Sequence, residues 1–151
     1  MSGCLVKPLK LWDFWKVSSH TKFLNAVFGT NYSENYTYRK SSFEYSENTI
    51  AWFVRFDGKE RNGFINSWVD KNDIKQTYVG ETGLFDGKPL NLKSELDYRL
   101  VFEIIDKPLR KYIFNGLYKL DRYISTQQYN KDGDPRYELV FRKISDIFPI
   151  K

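Results

Sequence analysis

The sequence predicts an α+β fold, with a small, strongly bent mixed β-sheet or β-barrel and one or two N-terminal helices. Three observations carry this prediction. Apolar and aromatic segments with strand-like alternation, separated by glycine or proline, recur from residue 49 to residue 144. Tyr, Phe and Trp, which favour strands, make up 18% of the chain. Before residue 29, the apolar residues have helical spacing instead.

The helical prediction covers residues 9–28, where Leu11, Trp15 and Phe23 are among the residues spaced as on apolar helical faces. The serines at 18 and 19 offer an alternative, because they could cap a second helix that contains residues 22–28. Gly29 is a plausible C-terminal stop in either case.

The rest of the chain is predicted to be strands and loops. Residues 30–48 are polar, but their aromatic residues indicate strand character around loops. Strands are predicted at residues 50–56, 64–69, 74–79, 98–105, 112–124 and 136–144. Turns or loops are predicted at Asp57-Gly58, at residues 80–93 and at residues 130–135. Gly116 lies inside a predicted strand and indicates a bulge or a bend.

Length and composition indicate a single domain over residues 1–151. A net charge of +5 permits phosphate binding without requiring it. The single cysteine, Cys4, excludes an internal disulfide framework and a cysteine-based zinc site. We find no apolar run long enough for a membrane span and no signal peptide, so a cytoplasmic location is the default expectation.

Catalytic patterns are weak. His20 is the only histidine, which excludes any site that needs two, and neither a P-loop nor a Gly-x-Ser-x-Gly elbow occurs. Asp57 with Asp73 and Lys75 has the composition of a metal-dependent nuclease site, and this alternative stays open. We expect no catalytic residues, no metal and no cofactor.

The last two predicted strands carry a family resemblance. Residues 112–118 read Tyr-Ile-Phe-Asn-Gly-Leu-Tyr, and residues 137–142 read Tyr-Glu-Leu-Val-Phe-Arg after a loop that contains Gly133. This pair resembles the closing strands of SRA (SET- and RING-associated) domains, in which a Tyr-x-x-x-Gly-Leu/Ile-Tyr strand precedes an aromatic-x-Leu-x-x-Arg strand. SRA domains read modified cytosine by flipping it out of DNA. The resemblance implies an SRA/PUA-like fold and a role in modification-dependent restriction.

The resemblance extends to a central segment and implies a base-binding site there. Tyr78 and Gly80 match the family's Tyr-Thr-Gly segment, Asp70 matches its acidic cluster, and Trp68 or Phe64 replaces its first aromatic residue. In that family tyrosines sandwich the extruded base while an aspartate accepts from the cytosine amino group. The alternative is that Trp68 lies in the core and Asp70 begins a turn.

Basic residues beside the predicted turns are candidates for phosphate contacts, which position a protein on DNA without specifying sequence. The alternative is a solvated surface. These candidates are Arg55, Lys59, Arg61, Lys107, Arg110 and Lys111.

The functional prediction is a DNA-binding specificity domain that recognises a modified, flipped base in duplex DNA. A nuclease or helicase domain or subunit would supply the remaining activity. Two alternatives are a small phage or mobile-element inhibitor that binds protein through its aromatic residues, and a small metal-dependent nuclease. Strong salt dependence of DNA affinity would separate the reader from the inhibitor.

Overall fold

The computed structural model describes residues 8–79, 84–85, 88–89, 92–129 and 135–150. These residues form one α-helix, α1 (His20–Phe28), and a short 3-10 helix (Leu92–Ser94). The strands in the described residues are β1 (Leu9–Lys10), β2 (Phe14–Trp15), β3 (Ser42–Ser46), β4 (Thr49–Val54), β5 (Phe64–Trp68), β6 (Asp73–Tyr78), β7 (Leu84–Phe85), β8 (Lys88–Pro89), β9 (Tyr98–Ile105), β10 (Lys111–Leu120), β11 (Thr126–Tyr129), β12 (Pro135–Ser145) and β13 (Ile147–Phe148).

Most of these strands belong to one mixed sheet with the order β3-β4-β9-β10-β12-β6-β5. Strand β2 pairs with β10, and β11 pairs with β12. All pairings are antiparallel except that of β4 with β9, which is parallel. Two small pairs, β1 with β13 and β7 with β8, lie outside this sheet.

The sheet has an apolar core on each face. One core packs α1 against alternate residues of β9, so Leu100, Phe102 and Ile104 share a face as predicted. The other core contains Val101 and brings β4 against β12, where the ring centroids of Trp52 and Phe141 are 5.9 Å apart. Because β4 and β12 are separated by two strands in the sheet, this contact requires strong bending.

The described strands therefore form a bent mixed sheet that is not closed into a barrel, with one short helix. This confirms the α+β class, and of the two predicted sheet forms it shows the open, bent one.

The predicted helix over residues 9–28 is wrong in its first half. Residues 9–10 and 14–15 are strands, and burial alternates along residues 11–19 with the period of two that strands show. Asp13 accepts a hydrogen bond from the Lys10 amide, which forms a turn between them (2.9 Å). The alternative prediction, in which the serines cap a second helix, agrees better with the structure. Ser19 caps α1, and Gly29 ends it with φ 69°.

Gly116 marks a bulge, as predicted. The register between β9 and β10 shifts between Phe114 and Gly116, where φ is 121°. A Cβ at this position would lie 2.8 Å from the Ser145 carbonyl oxygen, so only glycine fits without a shift of the backbone.

The other predicted strands occur with adjusted ends. The strand predicted at 112–124 ends at Leu120, where a turn begins. The strands β11 and β13 were not predicted from the sequence. The loop predicted at 80–93 contains the β7–β8 pair. Most of the loop predicted at 130–135 lies outside the described residues.

Candidate functional site

A cavity of about 390 Å³ lies where the bent sheet brings β5 and β6 near β4 and β9. Side chains alternate along a strand, so Phe64 and Asn66 of β5 share one face. Asn66 pairs in register with Gln76 of β6, and all three line the cavity. Trp52 of β4 lines it as well. The cavity therefore combines aromatic rings with side-chain amides.

Arg99 is a charged group in the wall of the cavity, and it is 5% exposed. Its guanidinium carbon lies 4.6 Å from the Trp52 ring centroid and 4.1 Å from that of Phe141. Nη1 donates to Gln76 Oε1 and Nη2 donates to Glu95 Oε2, each at 3.1 Å. Two rings and two acceptors therefore fix this cation in one orientation.

Glu95 connects Arg99 to Tyr137, whose hydroxyl donates to Glu95 Oε1. Burial lowers the pKa of Arg99, and the Glu95 carboxylate opposes that effect. Burial also raises the pKa of the Tyr137 hydroxyl, and the Glu95 charge adds to the rise. Tyr137 therefore stays protonated and remains a donor.

Arg122 holds the segment that carries Glu95. It donates to the carbonyl oxygens of Leu92 (2.9 Å) and Glu95 (2.7 Å) and to the Asp97 carboxylate (3.1 Å). Arg122 does not line the cavity, so its contacts fix the backbone next to a residue that does.

Two buried polar atoms among the cavity-lining side chains have no hydrogen-bond partner in the described part of the chain. They are Arg99 Nε, a donor, and Asn66 Oδ1, an acceptor. A buried polar atom without a partner costs about 1–3 kcal/mol, so such atoms are rare in folded proteins. Both atoms have almost no exposed surface, so a guest molecule reaches them only when neighbouring side chains shift.

The rim of the cavity is basic. It includes Arg39, Arg55, Lys59 and Arg61. Arg61 forms an ion pair with Asp57 at 2.6 Å, and its hydrogen bonds hold the pKa of Asp57 below the usual range. Arg39 and Lys59 form no ion pair with any carboxylate that the structure describes.

One carboxylate joins the two predicted phosphate-binding clusters. Asp106 accepts from Arg55 Nε at 2.7 Å and from Arg110 Nε at 3.1 Å, an arrangement that we call the Asp106 bridge. Hydrogen bonds from Arg55 and Arg110 lower the pKa of Asp106. Lys107 is exposed nearby, and the Lys111 ammonium lies 5.9 Å from the Phe14 ring centroid. The bridge places Arg110 beside the basic rim.

His20 also lines the cavity, and its Nδ1 lies 2.5 Å from the Tyr112 hydroxyl oxygen. Burial lowers its pKa to about 4, and the positive charges of Arg110 and Arg55 contribute. The imidazole is therefore neutral at pH 7.

The predicted base-binding residues lie at two ends of the β5–β6 hairpin. Phe64 lines the cavity, and the buried Tyr78 packs beside it with ring centroids 5.0 Å apart. Trp68 lies at the other end, 38% exposed, and packs on Phe56 at 4.4 Å. Asp70 accepts from the amides of residues 72 and 73 in the adjoining turn. Gly80 lies outside the described residues, and the base-binding role of the set stays a prediction.

The sequence analysis did not single out Trp52, Asn66, Gln76, Glu95 or Arg99. A usable signal was present for some of them. Arg99 interrupts an apolar strand, and Asn66 and Gln76 occupy inward positions of theirs.

Two further structural findings concern metal ions and membranes. Within the described ranges, no three His, Cys, Asp or Glu side chains form a group that could hold a metal ion. No helix in the same ranges is long and apolar enough to cross a membrane.

Comparison with known proteins identifies a shared fold. No protein-family model matches the chain, and no curated protein matches its sequence. Among solved structures, the 5-hydroxymethylcytosine-specific restriction enzyme AbaSI is similar, with a TM-score of 0.58 and 20% identity. The match covers 95% of this chain and 44% of that one, so this chain spans less than half of its neighbour's length.

Proposed function

We propose that this chain is a DNA-reading domain whose cavity receives a modified base extruded from duplex DNA. The observation that carries the proposal is the pair of unpartnered atoms, Arg99 Nε and Asn66 Oδ1, in a ring-walled cavity with a basic rim. Enzymes that extrude a base bind it by stacking and by hydrogen bonds to its Watson–Crick edge. The rim supplies cations for the adjoining phosphates.

A cytosine matches the polar groups of the cavity. Its exocyclic amino group would donate to Asn66 Oδ1, and a ring acceptor would receive the Arg99 Nε–H. Glu95 and Gln76 already engage the other guanidinium nitrogens, so Nε is the guanidinium nitrogen that lacks a partner. The neighbour's specificity for 5-hydroxymethylcytosine and the resemblance to SRA domains both favour a modified cytosine.

Of the base-binding residues predicted from the sequence, Phe64 lines the cavity and the Tyr78 ring packs beside it. We propose Trp52, Asn66 and Arg99 as the additional base contacts. The system would be modification-dependent restriction, with cleavage supplied by another domain or subunit, in keeping with the partial coverage of the restriction-enzyme neighbour.

Equilibrium binding to matched duplexes tests this function. The duplexes carry unmodified, methylated or hydroxymethylated cytosine at one position. We expect tighter binding to a modified duplex, and Asn66→Ala should weaken binding to that duplex by about 5- to 150-fold, since a lost buried hydrogen bond costs about 1–3 kcal/mol.

Ser67→Ala is the matched control, because Ser67 follows Asn66 on β5 and its side chain points to the opposite face. This variant should bind as the parent does. Equal binding of all three duplexes by the parent would contradict the function. A well-folded Asn66→Ala variant with the parent's affinity for the modified duplex would move the base site away from this cavity.

A further inference from the structure

The loop between α1 and β3 presents a second surface with the composition of a nucleic-acid site. It carries Tyr32, Tyr36 and Tyr38, followed by Arg39 and Lys40. The rings of Tyr32 and Tyr36 are stacked, with centroids 5.0 Å apart and planes at 21°. Tyr36 is 50% exposed although its ring packs on Tyr32. Part of the Tyr36 ring therefore remains open to a further planar group.

Hydrogen bonds to α1 hold this loop in place. The Thr21 hydroxyl donates to the Tyr36 carbonyl oxygen (2.8 Å) and accepts from the Tyr38 amide (3.0 Å). The Asn25 side chain accepts from the Tyr32 amide and donates to the Tyr32 carbonyl oxygen, each at 3.0 Å. An aromatic ring on a fixed backbone loses less conformational entropy when it binds a partner.

The tyrosines line a groove of about 570 Å³, which we call the tyrosine groove. Arg39 and Ser42 line both this groove and the base cavity, so the two are adjacent. Lys40 adds a second cation, and Glu44 is the acidic residue in the described lining. Unlike Arg55 and Arg61, Arg39 has no carboxylate partner in the described ranges, so it is available to a phosphate.

We propose that the tyrosine groove binds the nucleotide next to the extruded one. This inference rests on the proposed function. Extrusion removes a stacking neighbour from each flanking base, and the open part of the Tyr36 ring can replace it. Arg39 and Lys40 contact backbone phosphates of the two nucleotides. Stacking tolerates any base, so the groove contributes affinity without reading sequence.

Tyr36→Ala tests the inference. It should weaken binding to the modified duplex by about 5- to 150-fold, the range for one base–aromatic stack. Tyr36→Phe keeps the ring and should bind nearly as the parent does. Tyr123→Ala is the matched control, because Tyr123 is fully exposed and lines neither the cavity nor the groove. Parent-like binding by Tyr36→Ala would overturn the proposal.

A double-mutant cycle locates the contact. An abasic site is placed on one side or the other of the modified base, and each duplex is titrated with the parent and with Tyr36→Ala. If the ring stacks on that neighbour, Tyr36→Ala costs no further affinity once the base is absent. Additive losses on both sides would overturn the inference and leave the base cavity intact. A parent that does not prefer modified DNA would instead overturn the proposed function.

Discussion

Acid should destabilise this protein through its one histidine. His20 is the chain's only histidine, and burial lowers its pKa from 6.5 to about 4 in the folded state. As pH falls below 6.5, the unfolded chain binds a proton at this position and the folded chain does not. Stability is therefore lost between about pH 6.5 and pH 4. The carboxyl groups of Asp57 and Asp106, whose pKa values are lowered, titrate below this window.

The magnitude follows from linkage. Each pKa unit of difference between the folded and unfolded states is worth about 1.4 kcal/mol. From pH 6.5 to pH 4.5, the full shift would give about 2.2 kcal/mol, and solvent at the exposed side of the half-buried ring reduces this to about 1.5 kcal/mol. For a domain of this size the melting temperature should fall by roughly 3–6 °C.

Urea unfolding of the parent and of His20→Gln, each measured from pH 7 to pH 4.5, isolates the effect. The glutamine does not titrate, so its stability profile should be flatter by about 1.5 kcal/mol over this interval. The comparison uses the slopes of the two profiles, so any constant cost of losing the Tyr112 contact cancels. Parallel profiles would refute the reasoning, because they would mean that His20 titrates alike in both states.

Three further perturbations have defined outcomes. Gly116→Ala should lower the free energy of unfolding, measured in urea, by about 1–3 kcal/mol, because its Cβ would clash with the backbone and φ is 121°. A negligible loss would contradict the bulge geometry. Asp106→Asn should release Arg55 and Arg110 from the Asp106 bridge, so that a plot of log DNA affinity against log salt concentration becomes steeper by about 0.9 per added phosphate contact. An unchanged slope would place both arginines outside the interface. Arg122→Gln should loosen the segment that carries Glu95 and reduce the preference for modified over unmodified DNA; an equal loss of affinity for both duplexes would indicate a general structural role instead.

The strands and a bent sheet were predictable from the sequence, but the set of strands that the bend brings together was not. The strand with Leu100, Phe102 and Ile104 follows from alternation, and the bulge follows from a glycine inside a strand. The error at residues 9–19 has a physical reason. Aromatic residues spaced by three or four positions fit a helix, but pairing of Trp15 with Tyr112 of β10 provides tertiary contacts that override that preference.

Only part of the candidate site could be predicted from local sequence patterns. The basic residues at positions 55, 59 and 61 do lie together at the cavity, because one turn carries them all. Asn66 and Gln76 face each other across the paired strands β5 and β6, and the bend of the sheet brings Arg99 of β9 to the same cavity. The resemblance to SRA domains placed Trp68 and Phe64 in one predicted site. In the structure they lie four positions apart along an extended strand, at opposite ends of β5.

The most direct test of the central claim observes the Arg99 side chain. Its buried Nε–H has no hydrogen-bond partner among the described residues, so a bound base should change its environment. The ¹H–¹⁵N signal of this group, assigned by its loss in Arg99→Lys, is followed during titration with modified and with unmodified duplex. The account predicts a large change in chemical shift with the modified duplex and little change with the unmodified one. An unchanged Arg99 Nε signal in the modified complex, with backbone signals of the basic rim shifted, would contradict it.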